Sequence, residues 1–341
     1  MTSRSTRSRL WLITLFGVVA LVVAMVVGLG VGPLALSWWH IIGDVGSHLG
    51  LGHSRLDSLE STVLWQLRAP RLALGLLVGA MLSVAGGTYQ GVFRNPLADP
   101  YLLGVAAGAG LGATIAIVQI GDGLSTPTWT PWLAFAGALV AVGLTWLVGG
   151  RGTSATLVLG GVAISSLLTS AQTFVQQSSH GSIARVYIWL LGSLGGASWH
   201  GVVMVLPYVL ICSLICVGAA GALDVMSVGD AESRSLGLPV ERVRLVVVAA
   251  ASLGTAAVVS AVGLIGFVGI IVPHVVRLLV GTSYRRILPL SALLGGSFLV
   301  LTDTVARSVV SPSELPLGVI TALIGAPIFV VLLRSRTTAS L

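Results

Sequence analysis

Ten apolar runs, most of them about as long as a bilayer is thick, constrain this chain more than any other feature. They cover approximately residues 10–32, 70–90, 101–120, 132–149, 155–176, 202–222, 243–263, 265–281, 288–309 and 317–333. A helix satisfies its own backbone and needs about 20 residues to cross the hydrocarbon layer. The runs are continuous rather than alternating, and most are too long for barrel strands. The expectation is an all-α integral membrane protein of about ten transmembrane helices. No soluble domain fits between the runs, so residues 1–341 read as a single transmembrane domain. Only 9% of residues are charged, against roughly 25% in a soluble domain. So few charges cannot cover a water-soluble surface.

Arginine placement sets the expected topology. All 18 basic residues are Arg. With the N-terminus inside, Arg55, Arg68, Arg71, Arg185 and Arg307 fall outside and the other 13 inside. That excess predicts N-in, C-in and an even number of spans. The basic residues form no tract, so the net charge of +7 does not indicate a nucleic-acid partner. Arg4, Arg7 and Arg9 precede a run longer than a usual signal core, with no small-x-small cleavage site after it. The run reads as an uncleaved first helix. Residues 33–65 form a long outer loop carrying Trp38, Trp39 and Trp65, suited to the membrane interface. Residues 177–201 are expected to hold a short outer helix. Residues 223–242 are the longest and most charged inner loop.

Several chemistries are excluded. A phosphate-binding P-loop needs a lysine, and the chain has none. The same absence excludes a lysine Schiff base. There is no His-Glu-x-x-His or Gly-x-Ser-x-Gly pattern, and the six histidines are scattered. Cys212 and Cys216 read as small buried apolar residues, not as a metal site. The chain is therefore not expected to be an enzyme, and no cofactor or metal is assigned to it. An intramembrane enzyme would need a nucleophile or metal set. An ion-coupled secondary transporter would need several buried acids, and the spans offer little beyond Asp303.

Four polar features remain. The loop 229–244 reads as a short helix capped by Asp230, broken at Gly237-Leu238-Pro239, then a second helix. It is either a solvated connector or a docking element. In the fifth run, Ser165, Thr169, Gln172 and Gln176 share one helical face, either in polar helix contacts or along a pore. Asp303 and Arg307, four apart, read as a pair on one helix. Arg68 and Arg71 at the outer start of the second run are placed to meet lipid headgroups or carboxylates of an outer partner. Glycines at helical spacing, such as Gly75/Gly79 and Gly104/Gly108/Gly112, predict close helix packing.

Long motifs then carry a resemblance. Arg-Ala-Pro-Arg (68–71), Arg-Asn-Pro-Leu-Ala-Asp-Pro (94–100), Leu-Leu-Gly-Val-Ala-Ala-Gly-Ala (102–109) and Leu-Gly-Gly-Val-Ala (159–163) come first. Trp-Leu-Leu-Gly-Ser (189–193), Gly-Phe-Val-Gly-Ile-Ile-Val-Pro-His (266–274), Asp303 to Arg307, and Glu-Leu-Pro-Leu-Gly-Val-Ile-Thr-Ala-Leu-Ile-Gly-Ala-Pro (314–327) follow in order. Together they resemble the FecCD-type permeases, which import ferric siderophores, haem and cobalamin. The resemblance implies a type II ATP-binding-cassette importer permease that works by alternating access. It implies a homodimer on two cytoplasmic ATPase subunits, which hold ATP and Mg, and a substrate-binding protein outside. A ferric siderophore is the first expected cargo, then cobalamin or haem. The resemblance assigns ATPase coupling to Asp230, Ala231, Glu232, Ser235, Leu236, Gly237, Leu238 and Pro239. It assigns binding-protein docking to Arg68, Arg71 and Arg307, the translocation path to Ser165, Thr169, Gln172 and Gln176, and a cytoplasmic gate to Thr153 and Ser154.

Overall fold

A computed structural model describes residues 2–32, 34, 36–48, 56–119, 129–149, 154–178, 180–311 and 313–337. Each of the ten expected runs contains a helix. In chain order the helices are α1 (Thr2–Gly30), α2 (Trp38–His48), α3 (Ser58–Thr62), α4 (Ala69–Val92), α5 (Val105–Gln119), α6 (Trp129–Gly149), α7 (Ser154–Gln177), α8 (Ile183–Leu190), α9 (Trp199–Gly218), α10 (Ala220–Met226), α11 (Asp230–Ser235), α12 (Val240–Val262), α13 (Val268–Val280), α14 (Tyr284–Ala306) and α15 (Leu317–Thr337). No strand occurs among the described residues.

The runs and the helices differ in instructive ways. The second span begins earlier than hydropathy indicates, because α3 continues through a π-helical turn, Val63–Arg68, into α4. The run at 202–222 is two helices, with α9 ending at Gly218 and α10 starting at Ala220. The runs at 101–120 and 265–281 are helical only from Val105 and Val268. The apolar residues just before each helix are buried or half-buried but irregular, and hydropathy cannot tell such backbone from helix. The short outer helix expected within 177–201 is α8.

Burial sorts the helices into centre and rim. In α4, α12 and α14, two thirds or more of the spanning window is buried, against under a third in α1, α6, α7 and α9. From Val84 to Val92 every residue of α4 is buried, so this half of the helix is wrapped on all sides.

Lipid gives helices no hydrophobic reason to associate, so close approach through small residues must do the work. A side chain at Gly79 would overlap the carbonyl of Gly295 on α14. One at Gly86 would overlap the carbonyl of Gly269 on α13, and one at Gly108 the carbonyl of Gly137 on α6. At these three positions the glycine pattern marks backbone contacts between helices.

Gly143, by contrast, has nothing within 4 Å of a Cβ position. Gly86→Ala is expected to cost at least ~2 kcal/mol through overpacking. Gly143→Ala should be neutral or slightly stabilising. Thermal unfolding of the two variants in detergent, monitored side by side, checks the contrast.

Candidate functional site

The polar residues gather at the two ends of the bundle and at one level within it. At the end that arginine bias assigns to the outside, α1 terminates with carbonyls that have no helical partner. Arg68 donates to the carbonyl of Leu29 at 2.5 Å, to that of Gly30 at 3.1 Å, and to that of Leu34. Arg307 donates to the carbonyl of Gly28. Both arginines are buried, 4% and 3% exposed. This corrects the expectation that they present themselves to an outer partner. Each caps the end of α1 instead, because a buried carbonyl without a donor is costly.

Arg71 does the remaining work at this end. It grips Asp303 with Nε–Oδ2 at 2.9 Å and Nη2–Oδ1 at 2.8 Å, and Glu314 with Nη1–Oε1 at 2.8 Å and Nη2–Oε2 at 3.0 Å. Asp303 is 1% exposed. The expected Asp303–Arg307 pair is present but loose, at 3.8 Å. The principal partner of Asp303 comes from α4, so the clamp ties α4, α14 and the segment before α15 together. Only Arg71 and Glu314 keep contact with solvent, with the Glu314 side chain 35% exposed.

At the opposite end, Asp230 does not cap α11 as expected. Gly229, at φ 128°, holds the N-cap position without a side-chain bond, and Asp230 turns to two arginines. Arg244 of α12 donates to it at 2.5 Å, and Arg94, just past α4, lies at 3.3 Å. Burial disfavours the Asp230 charge, but the Arg244 hydrogen bond, with Arg244, Arg94 and Arg234 nearby, holds its carboxyl below the usual range. Asp224 accepts from the backbone N–H of Tyr284 at 2.5 Å and from Ser283 Oγ at 2.8 Å, which docks α10 on the start of α14. Beyond Asp230, Ala231, Glu232, Ser235, Leu236, Gly237 and Pro239 are exposed and Leu238 half-buried. Leu236 is 70% exposed at the tip, and Gly237 turns the chain at φ +83°.

The stripe on α7 is divided. Gln172 is buried over Gly110 of α5, and Ser165 is half-buried beside Gly104. Thr169 is exposed and Gln176 half-buried. Ser166, Ser170 and Thr173 extend the exposed polar edge, each hydroxyl donating to a carbonyl one turn back at 2.9 to 3.0 Å. Of the gate pair, Ser154 opens α7 with a buried hydroxyl, and Thr153 lies outside the described residues.

Sequence reasoning missed a third group, at the irregular segments before α5 and α13. Tyr101 Oη donates to the carbonyl of Ile265 at 3.0 Å and accepts from its N–H at 3.1 Å. Gln90 Nε2 donates to the carbonyl of Ile270 at 3.2 Å, while its Oε1 accepts from Arg277 at 3.1 Å. The available signals were Pro96 and Pro100 before Tyr101, and the glycines at 263, 266 and 269.

Comparison with known proteins now decides the family. The model of the FecCD transport family matches residues 20–335. The chain belongs to that family. It is 44% identical over 283 residues to the cobalamin import system permease protein BtuC of Halobacterium salinarum, covering 81% of this chain and 74% of that one. It is 34% identical to the Fe(3+)-citrate import system permease protein YfmE of Bacillus subtilis, covering 98% and 97%. The vitamin B12 import system permease protein BtuC of Escherichia coli is 36% identical, with 95% and 94% covered. A solved inward-facing structure of a metal-chelate type ABC transporter superimposes with a TM-score of 0.83 at 31% identity, covering 96% of this chain and 98% of that one. This FecCD protein is a multi-pass permease of the cytoplasmic membrane in an ATP-binding-cassette importer, and ATP hydrolysis belongs to a separate subunit.

The two carboxylates on Arg71 should differ sharply in weight. Asp303→Asn strands buried arginine charge and is expected to cost about 3–5 kcal/mol. Glu314→Gln, at a partly exposed pair, should cost no more than ~1 kcal/mol. Thermal unfolding of the two FecCD variants checks the ranking. At the other end, the Asp230 carboxyl is depressed on folding. Its contribution is therefore complete above the ordinary aspartate pKa, about 3.9, and is lost as pH falls through the depressed value. Asp230→Asn should flatten that acid limb in a melting-temperature profile against pH.

Proposed function

We propose that the permease works as a homodimer on two ATPase subunits, receives its cargo from a substrate-binding protein outside, and imports a metal chelate of the cobalamin or ferric-chelate kind. The observation that carries this reading is the exposed polar edge of α7. Thr169, Thr173, Ser166 and Ser170 sit on a spanning helix, on an exposed face that none of the other described residues buries. Hydroxyls bonded back to their own helix tolerate lipid, but so continuous a polar edge, which Gln176 and Gln177 extend to the end of α7, suits a wet path better. A second protomer across a wet path supplies what lipid cannot. The outer half of α15 supports the same arrangement. Gly318, Ala322 and Ala326 recur every four residues along an open apolar groove edged by Leu191 and Leu323, a surface that suits another helix.

At the inner end, α11 with exposed Leu236 and Val228 forms a small apolar tip braced by the Asp230 arginines. That tip fits a cleft on an ATPase subunit, whose closure on ATP would tilt the spans by alternating access. At the outer end, Arg71 with Glu314 is the part of the arginine cluster open to a binding protein. The 44% identity to a cobalamin permease supports a corrinoid, and the 34% identity to a ferric citrate permease supports a ferric chelate.

Co-expression with the cognate ATPase and binding protein, reconstitution in liposomes, and uptake of radiolabelled cyanocobalamin and ferric citrate test the proposal. ATP-dependent uptake of either is expected, and uptake of neither removes the cargo class. Leu236→Asp should lower uptake at least tenfold without loss of the folded permease. Uptake at the wild-type rate would remove the tip from the ATPase contact.

A further inference from the structure

The two short spans, α5 and α13, begin where helical backbone gives way to irregular chain, at residues 93–104 and 263–267. These segments meet. Pro100 occupies the space beside Gly269, with its Cδ 2.5 Å from where a Cβ would stand. The Tyr101 hydroxyl satisfies both backbone groups of Ile265, which is 2% exposed. Irregular backbone at membrane depth persists only where protein satisfies it, and here one hydroxyl does so for a whole residue.

Strain marks both ends of the connection. Among the described residues only Arg94, at φ +50°, and Phe267, at φ +69°, are non-glycine residues in the left-handed region. That conformation is uncommon for a side chain with a Cβ and clusters at functional sites. Arg94 opens the segment that carries Tyr101, and its guanidinium reaches Asp230 of α11 at 3.3 Å. Phe267 closes the segment that Tyr101 holds. An unbroken chain of contacts thus runs from α11 through Asp230 and Arg94, along residues 95–101, to the break between α12 and α13.

We infer that Tyr101 is a positioning residue for transport: its hydroxyl pins a hinge at Ile265, and the Arg94–Asp230 pair delivers movement of the coupling helix to that hinge. The inference rests on the reading of α11 as the ATPase contact. Displacing α11 pulls Arg94, and the proline-stiffened segment 95–101 passes the displacement to Ile265. Without the hydroxyl, residues 263–267 would lose their anchor, and ATP hydrolysis would proceed without moving the spans.

The test uses the complete importer in liposomes, with wild type, Tyr101→Phe and Arg94→Gln, and with cyanocobalamin and ferric citrate as probes. For Tyr101→Phe, basal ATP hydrolysis should stay within about twofold while cargo transported per ATP falls at least tenfold. Hydrogen exchange of the peptide spanning 263–268 should accelerate at least tenfold. For Arg94→Gln, transport per ATP should fall at least fivefold with resting exchange at 263–268 unchanged. Because Arg94 is 41% exposed in its side chain, this variant keeps the core intact and carries the test if Tyr101→Phe does not assemble. Wild-type transport per ATP in either variant, or unchanged exchange in Tyr101→Phe, overturns the inference. A wild-type importer with no ATP-dependent uptake of either probe would instead overturn the proposed function.

Discussion

The structure depends on one constraint: backbone polar groups in hydrocarbon must find partners within the protein. Regular helix meets that demand for most of the chain. The rest is met by side chains at fixed places. Arg68 and Arg307 cap the outer end of α1, Tyr101 serves Ile265, and Gln90 serves the carbonyls of Gly269 and Ile270. Backbone does the same at the outer end, where Ser193 N–H bonds the carbonyl of Val262 and Leu317 N–H that of Gly192. These few contacts permit a permease with broken spans.

The same constraint explains why charged residues here are mostly structural. A guanidinium at the rim of the hydrocarbon is worth most where it faces an orphan carbonyl or a buried carboxylate. Arg71 with Asp303 is such a case, and it joins α4 to α14. Glycine contacts at Gly79 and Gly86 then bring α4 within backbone reach of α14 and α13. The centre is consequently close-packed, while α7 at the rim carries an exposed polar face. That division suits the proposed function, in which the exposed faces are the ones left for partners and cargo.

How the sequence met the structure depended on range. Span positions were legible because a hydrocarbon slab imposes its thickness on any helix that crosses it. α8 and the break after α11 were legible because glycine, proline and serine act over a few residues. The Asp230 contacts were not, since a capping position and an ion pair with Arg244 look alike until α12 is placed. The Asp303–Arg307 spacing pointed to a local pair, but the stronger partner lies 232 residues away. The Tyr101–Ile265 bond spans 164 residues and has no local signature beyond its flanking prolines.

The sequence by itself determined that this chain is a helical membrane protein, that it lacks the lysine of a P-loop, and which family its motifs resemble. Those properties follow from composition and short-range pattern, which solvent and bilayer read one segment at a time. Only the tertiary structure decided which arginines are exposed, which α7 residues face a neighbour, and where the spans are broken. Each of these depends on which distant group arrives to satisfy a buried donor or acceptor, and that is settled by packing across the whole bundle.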